Sequence, residues 1–358
     1  MREQGPVISI CFPTYNRFQV FRKNFEAAVK QVEELEGKNR VEIVVSVNPS
    51  GDGREEMSHD ALQMAKLHQI CVLINEHNIG ANPNIIKALL AASGKYVWVI
   101  GDDDLILPGV IERVLNVLHE YPDTAWIFLN EALLAGPAEE ETAKMAFVRR
   151  YHGRGGYFAA GKRKIIRMHK KIDGGILFST SNIYLRSSVE KVLKHYPKDN
   201  MCNQLTFAFE SAAHGGAYII TDPCILAGGE ITWKKQRDQV TYQFYNEALL
   251  LTAGWGYSYR EMKALVRYRM CHASLFLWFG MFLLICKGDP LGRQSYGNML
   301  KLLPVTTIFI TIASPILAVY LFLRSGYRRW KRGREIRRYP SEEGAVPEIV
   351  MHCERNSS

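Results

Sequence analysis

The chain has 358 residues, 47% hydrophobic and 23% charged, with a formal net charge of +9. That length is too great for one small domain and ample for a large core, and the balance excludes a disordered chain. The excess charge is local: 324–338, "RSGYRRWKRGREIRR", holds eight Lys/Arg against one Glu, so no nucleic-acid-binding surface extends over the fold.

The N-terminal "MREQGPVISI" has no long apolar run, so no cleavable signal peptide is evident. "VISICFPTYNR" (7–17) opens as an apolar, β-branched strand and is expected to break at Pro13. Cys11 sits inside that run. The seven cysteines are odd in number and scattered, without CxxC or Cys/His zinc spacing, which favours reduced thiols in a cytosolic compartment. "FRKNFEAAVKQVEEL" (21–35) has helical periodicity, and "VEIVVSV" (41–47) is a buried-type strand ending in the turn chemistry of "NPSGDG". "ALQMAKLH" predicts a second helix and "CVLINE" a third strand. "NPNIIKALLAAS" predicts a third helix, with Asn82 as N-cap and Pro83 at the first helical position. "KYVWVI" is the fourth strand.

Apolar strands alternating with helices imply an α/β fold, a mostly parallel sheet flanked by helices. In such sheets ligands bind beyond the carboxyl ends of the strands. Those ends read "PTYNR", "NPSGD", "EHNIGANPN" and "GDDD". Three adjacent carboxylates repel one another unless a cation offsets them. A crevice with Asp102, Asp103, Asp104, several Asn side chains and small residues suits a nucleotide diphosphate bridged by Mg²⁺ or Mn²⁺. The bland alternative makes Asp104 a cap for the helix from Pro108 and leaves the other two solvated.

The segments "ISICFPTYNR", "EIVVSVNPSGD", "NIGANPNIIKALLAASGKYVWVIGDDDLILPG" and "STSNIYLRSS" together resemble the inverting family 2 glycosyltransferases with the GT-A nucleotide-diphospho-sugar transferase fold. The nearest likeness is the abequosyltransferase-like branch that builds bacterial surface polysaccharides such as O-antigen. The likeness covers 6–130 well and 170–226 loosely. It implies transfer of a hexosyl or deoxyhexosyl group from a nucleotide-diphosphate sugar with inversion. By that resemblance Pro13 and Thr14 lie against the base, with Asn16 and Arg17 following in the loop. The family's base-contacting aspartate after the second strand is replaced by Asn48, with Asp52 as the second candidate. Asn78, Gly80 and Asn84 match the stretch near ribose and phosphates. Asp102 is assigned to the ribose, and Asp103 or Asp104 to the metal.

Inverting transfer needs a base for the acceptor hydroxyl. The family's acidic pair, about one helix before a Gly-aromatic strand, falls on Asn203 and Gln204, and neither can act as a base. The nearest carboxylates are Asp199, in "YPKDNMCNQ", and Glu210, in "LTFAFESAAHGG". Asp199 is preferred because it precedes the helix, where a loop can aim it at the crevice. His195 and His214 are further candidates, against the alternative that each is a solvated His near a helix end. "GGEITWKKQRDQ" (228–239) offers Trp233, Lys234, Lys235 and Arg237 either to a diphosphate or acceptor or simply to solvent.

The C-terminal third changes character. "MCHASLFLWFGMFLLIC" (270–286) is apolar apart from His272, and 302–323 carries no charge. Together they predict a hydrophobic helical hairpin at the membrane, joined by "KGDPLGRQSYGNMLK" as a turn. Two core helices of a soluble domain are the alternative. The domain plan is thus a catalytic domain at 1–230, a basic and aromatic loop with an interfacial helix at 231–265, the hairpin at 266–326 and a basic, partly disordered tail at 327–358. The positive-inside rule places tail and catalytic domain on the cytoplasmic face of a bacterial inner membrane. There the site would reach a lipid-linked, polyprenyl diphosphate oligosaccharide acceptor, with no nucleic acid as partner. The alternatives are a non-catalytic nucleotide-sugar-binding membrane protein and a different nucleotide-dependent transferase on the same sheet. No GxGxxG or P-loop lysine motif favours another nucleotide chemistry.

Overall fold

Strand β1 (Ile8–Tyr15) turns Ile8, Ile10 and Phe12 into the core, and helix α1 (Phe18–Glu33) covers them with Phe21, Phe25, Ala28 and Val29. Phe12 meets Phe21 and Phe25 edge-on, with ring centroids 6.0 and 5.7 Å apart. Burying each ring contributes roughly 1.5–3 kcal/mol. The computed structural model describes residues 5–49, 70–133, 154–161, 175–195, 200–228, 244–254 and 281–302, with isolated positions between and after them.

The expected break at Pro13 does not occur, and β1 runs through it to Tyr15. Cys11 turns its carbonyl toward β4 (Tyr96–Val99), accepting from Ile100 N at 2.9 Å. Pro13, two residues on, points the same way but beyond the last β1–β4 pair, Cys11↔Val99. Its missing N–H therefore costs no ladder bond.

β2 (Val41–Asn48) and β4 flank β1 in parallel, and β3 (Cys71–Ile74) continues in parallel beside β2. The carboxyl ends of these four strands share one edge, as the alternation predicts. Beyond β4 the direction changes. β8 (Asn182–Leu185) is antiparallel to both β4 and β6 (Thr124–Leu133). β9 (Gly216–Ala227) is parallel to β6 and antiparallel to β5 (Leu105–Ile106) and β7 (Gly156–Phe158). The path is β3-β2-β1-β4-β8-β6-β9-β5, with β7 against β9. The sheet is mixed rather than mostly parallel, because β8 returns along β4 and reverses the polarity of that half.

Helix α2 (Ala81–Ala91) starts before the expected Asn82 cap. Gly80, at φ +93°, caps it and accepts from Asn84 N at 3.2 Å, and Asn82 is buried within the first turn. Helix α3 (Val110–Glu120) is capped by Gly109 in the left-handed region, so Asp104 does not cap it. Helix α4 (Arg186–His195) and α5 (Asn203–His214) follow β8. The expected helix at 61–68, the interfacial helix at 258–269 and the loop carrying Trp233, Lys234, Lys235 and Arg237 lie almost wholly outside the described residues.

Near the C-terminus the expected long turn is mostly helix. Residues 281–286 are helical, and α7 (Pro290–Leu302) begins four residues later, after α6 (Tyr245–Gly254). The reversal occupies 287–289. Gly288 adopts φ +75°, with Gly288 N donating to Ile285 O and Asp289 N to Leu284 O, both at 2.9 Å. This is a Schellman ending. Asp289 Oδ1 then accepts from Leu291 N at 2.9 Å and caps α7, with Pro290 at its first position. Gln294 Nε2 donates to Glu247 Oε1 at 3.0 Å, tying α7 to α6. Among the described residues no helix is long and apolar enough to cross a membrane. Most of 270–280 and 303–323 lies outside them. A second unit begins at Ile308, of which Ile308, Thr311 and Ile312 are described.

Candidate active site

The site grows from the turn that leaves β4. Asp102, Asp103 and Asp104 fall between β4 and β5, where the chain has just emerged from the core. Asn24 on α1 donates to the Asp102 carbonyl at 3.1 Å and fixes the turn from below. Gly101 N donates to Thr180 Oγ1 at 3.0 Å and fixes it from the side.

Each carboxylate has its own environment. Asp102 is buried and accepts from Thr14 Oγ1 at 3.2 Å, Tyr15 N at 3.5 Å and Arg17 Nη2. Burial raises its proton affinity, and Arg17 opposes that. Asp103 is the most open, with its side chain 18% exposed, and it accepts from Arg17 Nη1 at 3.0 Å. Asp104 is buried and accepts from Thr180 Oγ1 and from Gly228 N, the latter at 2.9 Å. Burial pushes Asp104 up to about 7 despite both hydrogen bonds, and the charges of Asp103 and Glu131 add to the rise. Burial also works against the Arg17 charge, but Asp102 and Asp103 outweigh it and raise its affinity for the proton.

Two glycines let the backbone pack directly against the carboxylates. A Cβ on Gly228 would stand 2.6 Å from both Cγ and Oδ2 of Asp103. One on Gly101 would stand 2.5 Å from Asp104 Oδ2. Among the described residues no three His, Cys, Asp or Glu side chains form a ready-made cage for a metal. The donor set still fits Mg²⁺ or Mn²⁺, which are commonly held by one or two carboxylates plus substrate phosphates. Asp103, and Asp104 behind it, are the groups in place for that.

The neighbouring strand ends carry an amide network. Asn48 Oδ1 accepts from Asn75 Nδ2 at 2.8 Å and Ile79 N at 3.3 Å, and Asn48 Nδ2 donates to Gly80 O at 3.1 Å. Asn84 Oδ1 accepts from Ser46 Oγ at 2.7 Å and Asn75 Nδ2 at 2.8 Å, and its Nδ2 donates to Ser46 O at 3.0 Å. Asn48 and Asn84 therefore hold the loop between β3 and α2 against β2. Asn78 is exposed and closes its own turn onto Gly80 N at 2.9 Å. Pro13 is half-buried and Asn16 exposed at the end of β1. Asp52 lies outside the described residues.

Three residues escaped the sequence reading. Asn75, immediately after β3, bridges Asn48 and Asn84, and Lys87 Nζ donates to its Oδ1. Asn24 was masked by its place in an amphipathic helix. Glu131, near the end of β6, is 1% exposed and accepts from Ser181 Oγ at 3.2 Å. A single acid in "WIFLNEALL" was the only signal for it.

Asp199 lies outside the described residues, but its neighbour Asn200 is buried. Asn200 donates to Phe244 O at 3.0 Å and accepts from Cys202 N at 2.8 Å. The first turn of α5 does face the site: Gln204 Nε2 donates to Ser179 Oγ at 3.0 Å, next to the Thr180 that holds Asp104. Glu210 is buried further along α5 and ion-paired to Lys191, with His214 Nε2 3.0 Å from the same carboxylate. His195 turns Nδ1 to Lys191 O at 3.0 Å at the exposed end of α4.

A mixed sheet flanked by helices, with acidic and amide-rich turns along one edge, is a GT-A-like α/β fold. The pattern of glycosyl transferase family 2 matches residues 9–193, more than half of the chain, and the chain belongs to that family. An uncharacterized glycosyltransferase of Methanocaldococcus jannaschii is 27% identical over 123 residues, 34% of this chain and 41% of its own length. The GalNAc(5)-diNAcBac-PP-undecaprenol beta-1,3-glucosyltransferase of Campylobacter jejuni is 30% identical over 115 residues, 32% of this chain and 35% of its own. The matches thus span well under half of these relatives. Among solved structures, S. aureus TarS 1–349 in complex with UDP-GlcNAc is 14% identical with a TM-score of 0.62, covering 87% of this chain and 86% of that one. The mannosyltransferase PcManGT from Pyrobaculum calidifontis, in complex with GDP-Man and Mn²⁺, is 13% identical with a TM-score of 0.52, covering 92% and 84%. At these identities the likeness to the solved structures bears on fold alone.

Proposed function

We propose that this protein is a metal-dependent, inverting glycosyltransferase. It moves a hexosyl or deoxyhexosyl group from a nucleotide-diphosphate sugar to a hydroxyl of a lipid-linked, polyprenyl diphosphate oligosaccharide, in cell-surface polysaccharide synthesis. The observation that carries the reading is the row Asp102–Asp104 at the carboxyl edge of the sheet, with Asp103 its most open member and Gly101 and Gly228 packed directly against it. The Campylobacter relative, named for an undecaprenol-linked substrate, supports the acceptor class. The abequosyltransferase-like branch remains the subfamily proposed.

The chain's own groups divide the work. The loop at Pro13, Thr14 and Asn16 borders the nucleotide. Asn48 and Asn84 position the Asn78–Gly80 loop for the ribose and phosphates, and the base contact falls to Asn48, with Asp52 as the second candidate. Asp102 takes the ribose side. Asp103 and Asp104 hold Mg²⁺ or Mn²⁺, which when bound would offset the charge of the leaving diphosphate. Asp199 is the proposed base. The acceptor oxygen attacks the anomeric carbon as its proton passes to Asp199. The bond to the diphosphate breaks on the opposite face, and the diphosphate leaves with the electron pair. One displacement inverts the anomeric centre.

The apolar segments 270–286 and 302–323 and the basic patch 324–338 support placement at the cytoplasmic face of a bacterial inner membrane. A second reading, a non-catalytic donor-binding protein, is favoured by Asn203 and Gln204, which occupy the place of the family's acidic pair. The test is donor turnover with Mn²⁺ and lipid extract over a panel of nucleotide sugars. Transfer supports the enzyme, and donor binding without transfer or hydrolysis supports the binding protein.

A further inference from the structure

The backbone of Asn16 turns through φ +54°, the one positive φ outside glycine among the described residues. Asparagine tolerates that region better than most side chains. The turn sends Arg17 back across the acidic row. Its Nη1 donates to Asp103 Oδ2 at 3.0 Å and its Nη2 to Asp103 Oδ1 at 3.4 Å, and Nη2 also meets Asp102 Oδ1. A planar, forked cation thus covers both oxygens of the most open carboxylate. Asp104 is left to Thr180 and Gly228.

A divalent ion bound through Asp103 would use one or both of those same oxygens. A guanidinium and a doubly charged ion repel each other along one carboxylate edge. The Arg17 side chain is 25% exposed, so it stands at the mouth of the site, where a long side chain can swing. Its fork also matches a phosphate group in geometry and charge.

We infer that Arg17 is a resident counter-cation that occupies the divalent-ion position of the donor-free protein and transfers from Asp103 to the donor diphosphate when ion and donor bind. The inference rests on the donor reading above. The ion alone has to break the paired Arg17–Asp103 contact without supplying a new anionic partner in its place, so it binds weakly. Ion and donor together give the guanidinium a new anionic partner and give the ion phosphate oxygens. Each ligand therefore strengthens the other through Arg17. Arg17 is a positioning residue here, set to admit the ion only with its nucleotide.

The experiment is calorimetric titration of the full-length protein with Mn²⁺ alone, UDP and GDP alone, and each nucleotide with Mn²⁺, for wild type, Arg17→Ala and Arg17→Lys. Wild type should bind Mn²⁺ weakly alone and tightly with nucleotide. Arg17→Ala should bind Mn²⁺ alone about tenfold more tightly or better, about the effect of one charged contact. It should also lose most of the mutual enhancement. Arg17→Lys, which keeps the charge without the fork, should fall between and controls for folding. If Mn²⁺ sharpens nucleotide binding to wild type, yet neither variant binds Mn²⁺ alone more tightly, Arg17 does not hold the ion position and the inference is overturned. If wild type shows no Mn²⁺-dependent nucleotide binding at all, the donor reading fails and the inference fails with it.

Discussion

Gly228 donates its N–H to Oδ1 of Asp104 at 2.9 Å, tying the residue after β9 to the acidic turn between β4 and β5. The approach is so close that a methyl group on Gly228 would fall 2.6 Å from Oδ2 of Asp103. Gly228→Ala must therefore push either the backbone or Asp103 aside. Misplacing a reacting group by about 1 Å can cost about 10²-fold, so transfer should fall by that order. The melting temperature should move far less, because the crowding falls on a partly open carboxylate. A Gly228→Ala protein with wild-type turnover would show that Asp103 is not needed where it stands.

The Asp104 carboxyl gives stability a pH dependence. Its folded pKa of about 7 lies above the ordinary 3.8, so between those values the folded protein keeps a proton that the unfolded chain has released. Stability accordingly falls as pH rises from about 4 to about 7 and stays lower above that. Asp104→Asn removes this loss, worth at most about 4 kcal/mol, offset by about 1 kcal/mol for the acceptor that the Thr180 hydroxyl loses when one carboxylate oxygen becomes an amide nitrogen, while the other still accepts from Gly228 N–H. Thermal melts of the metal-free proteins should show the variant gaining on wild type at pH 8 and not at pH 4.5. A gap that does not change with pH would contradict the burial of an ionisable Asp104.

Asp199 and Glu210 should separate chemistry from packing. Asp199→Asn should lower the transfer rate by ~10²-fold or more with donor affinity nearly unchanged, as loss of a general base does. Glu210→Gln leaves Lys191 and His214 without their carboxylate. It should lower stability by about 1–3 kcal/mol while each folded molecule keeps its rate. An inactive Glu210→Gln protein beside an active Asp199→Asn protein would reverse the assignment.

Much of this site is legible in the sequence, because β1–β4 end in turn residues that a parallel sheet must bring to one edge. The pairing direction of β8 could not: "NIYL" reads the same in either polarity, and tertiary packing decides it. The grip of Arg17 on Asp103 depends on the left-handed turn at Asn16, which the letters allow without requiring. "KGDP" is a different case. Gly288 after a helix, Asp289 as cap and Pro290 at the first position are a helix stop and start in four letters. The expectation of a long turn passed over them. Glu131 was hidden because one acid in an apolar strand does not reveal the Ser181 that receives it.

The C-terminal segments carry the membrane proposal. Each Lys or Arg near an anionic surface contributes about 1 kcal/mol, and salt screens that attraction. Burial of 270–286 and 302–323 in lipid is larger and not salt-sensitive. Neither high salt nor carbonate should release the full-length protein from membranes, while detergent should. Release by salt alone would mean that these segments fold into a soluble domain.

The most direct test of the donor site is Mn²⁺-dependent sugar transfer measured on wild type beside Asp103→Asn. Wild type should convert a nucleotide-diphosphate sugar, with free nucleotide diphosphate and glycosylated lipid appearing together, and lose that activity in a chelator. Asp103→Asn should lose both turnover and the Mn²⁺ enhancement of nucleotide binding, with its metal-free melting temperature close to wild type. Near wild-type transfer by Asp103→Asn would contradict the role given to the acidic row.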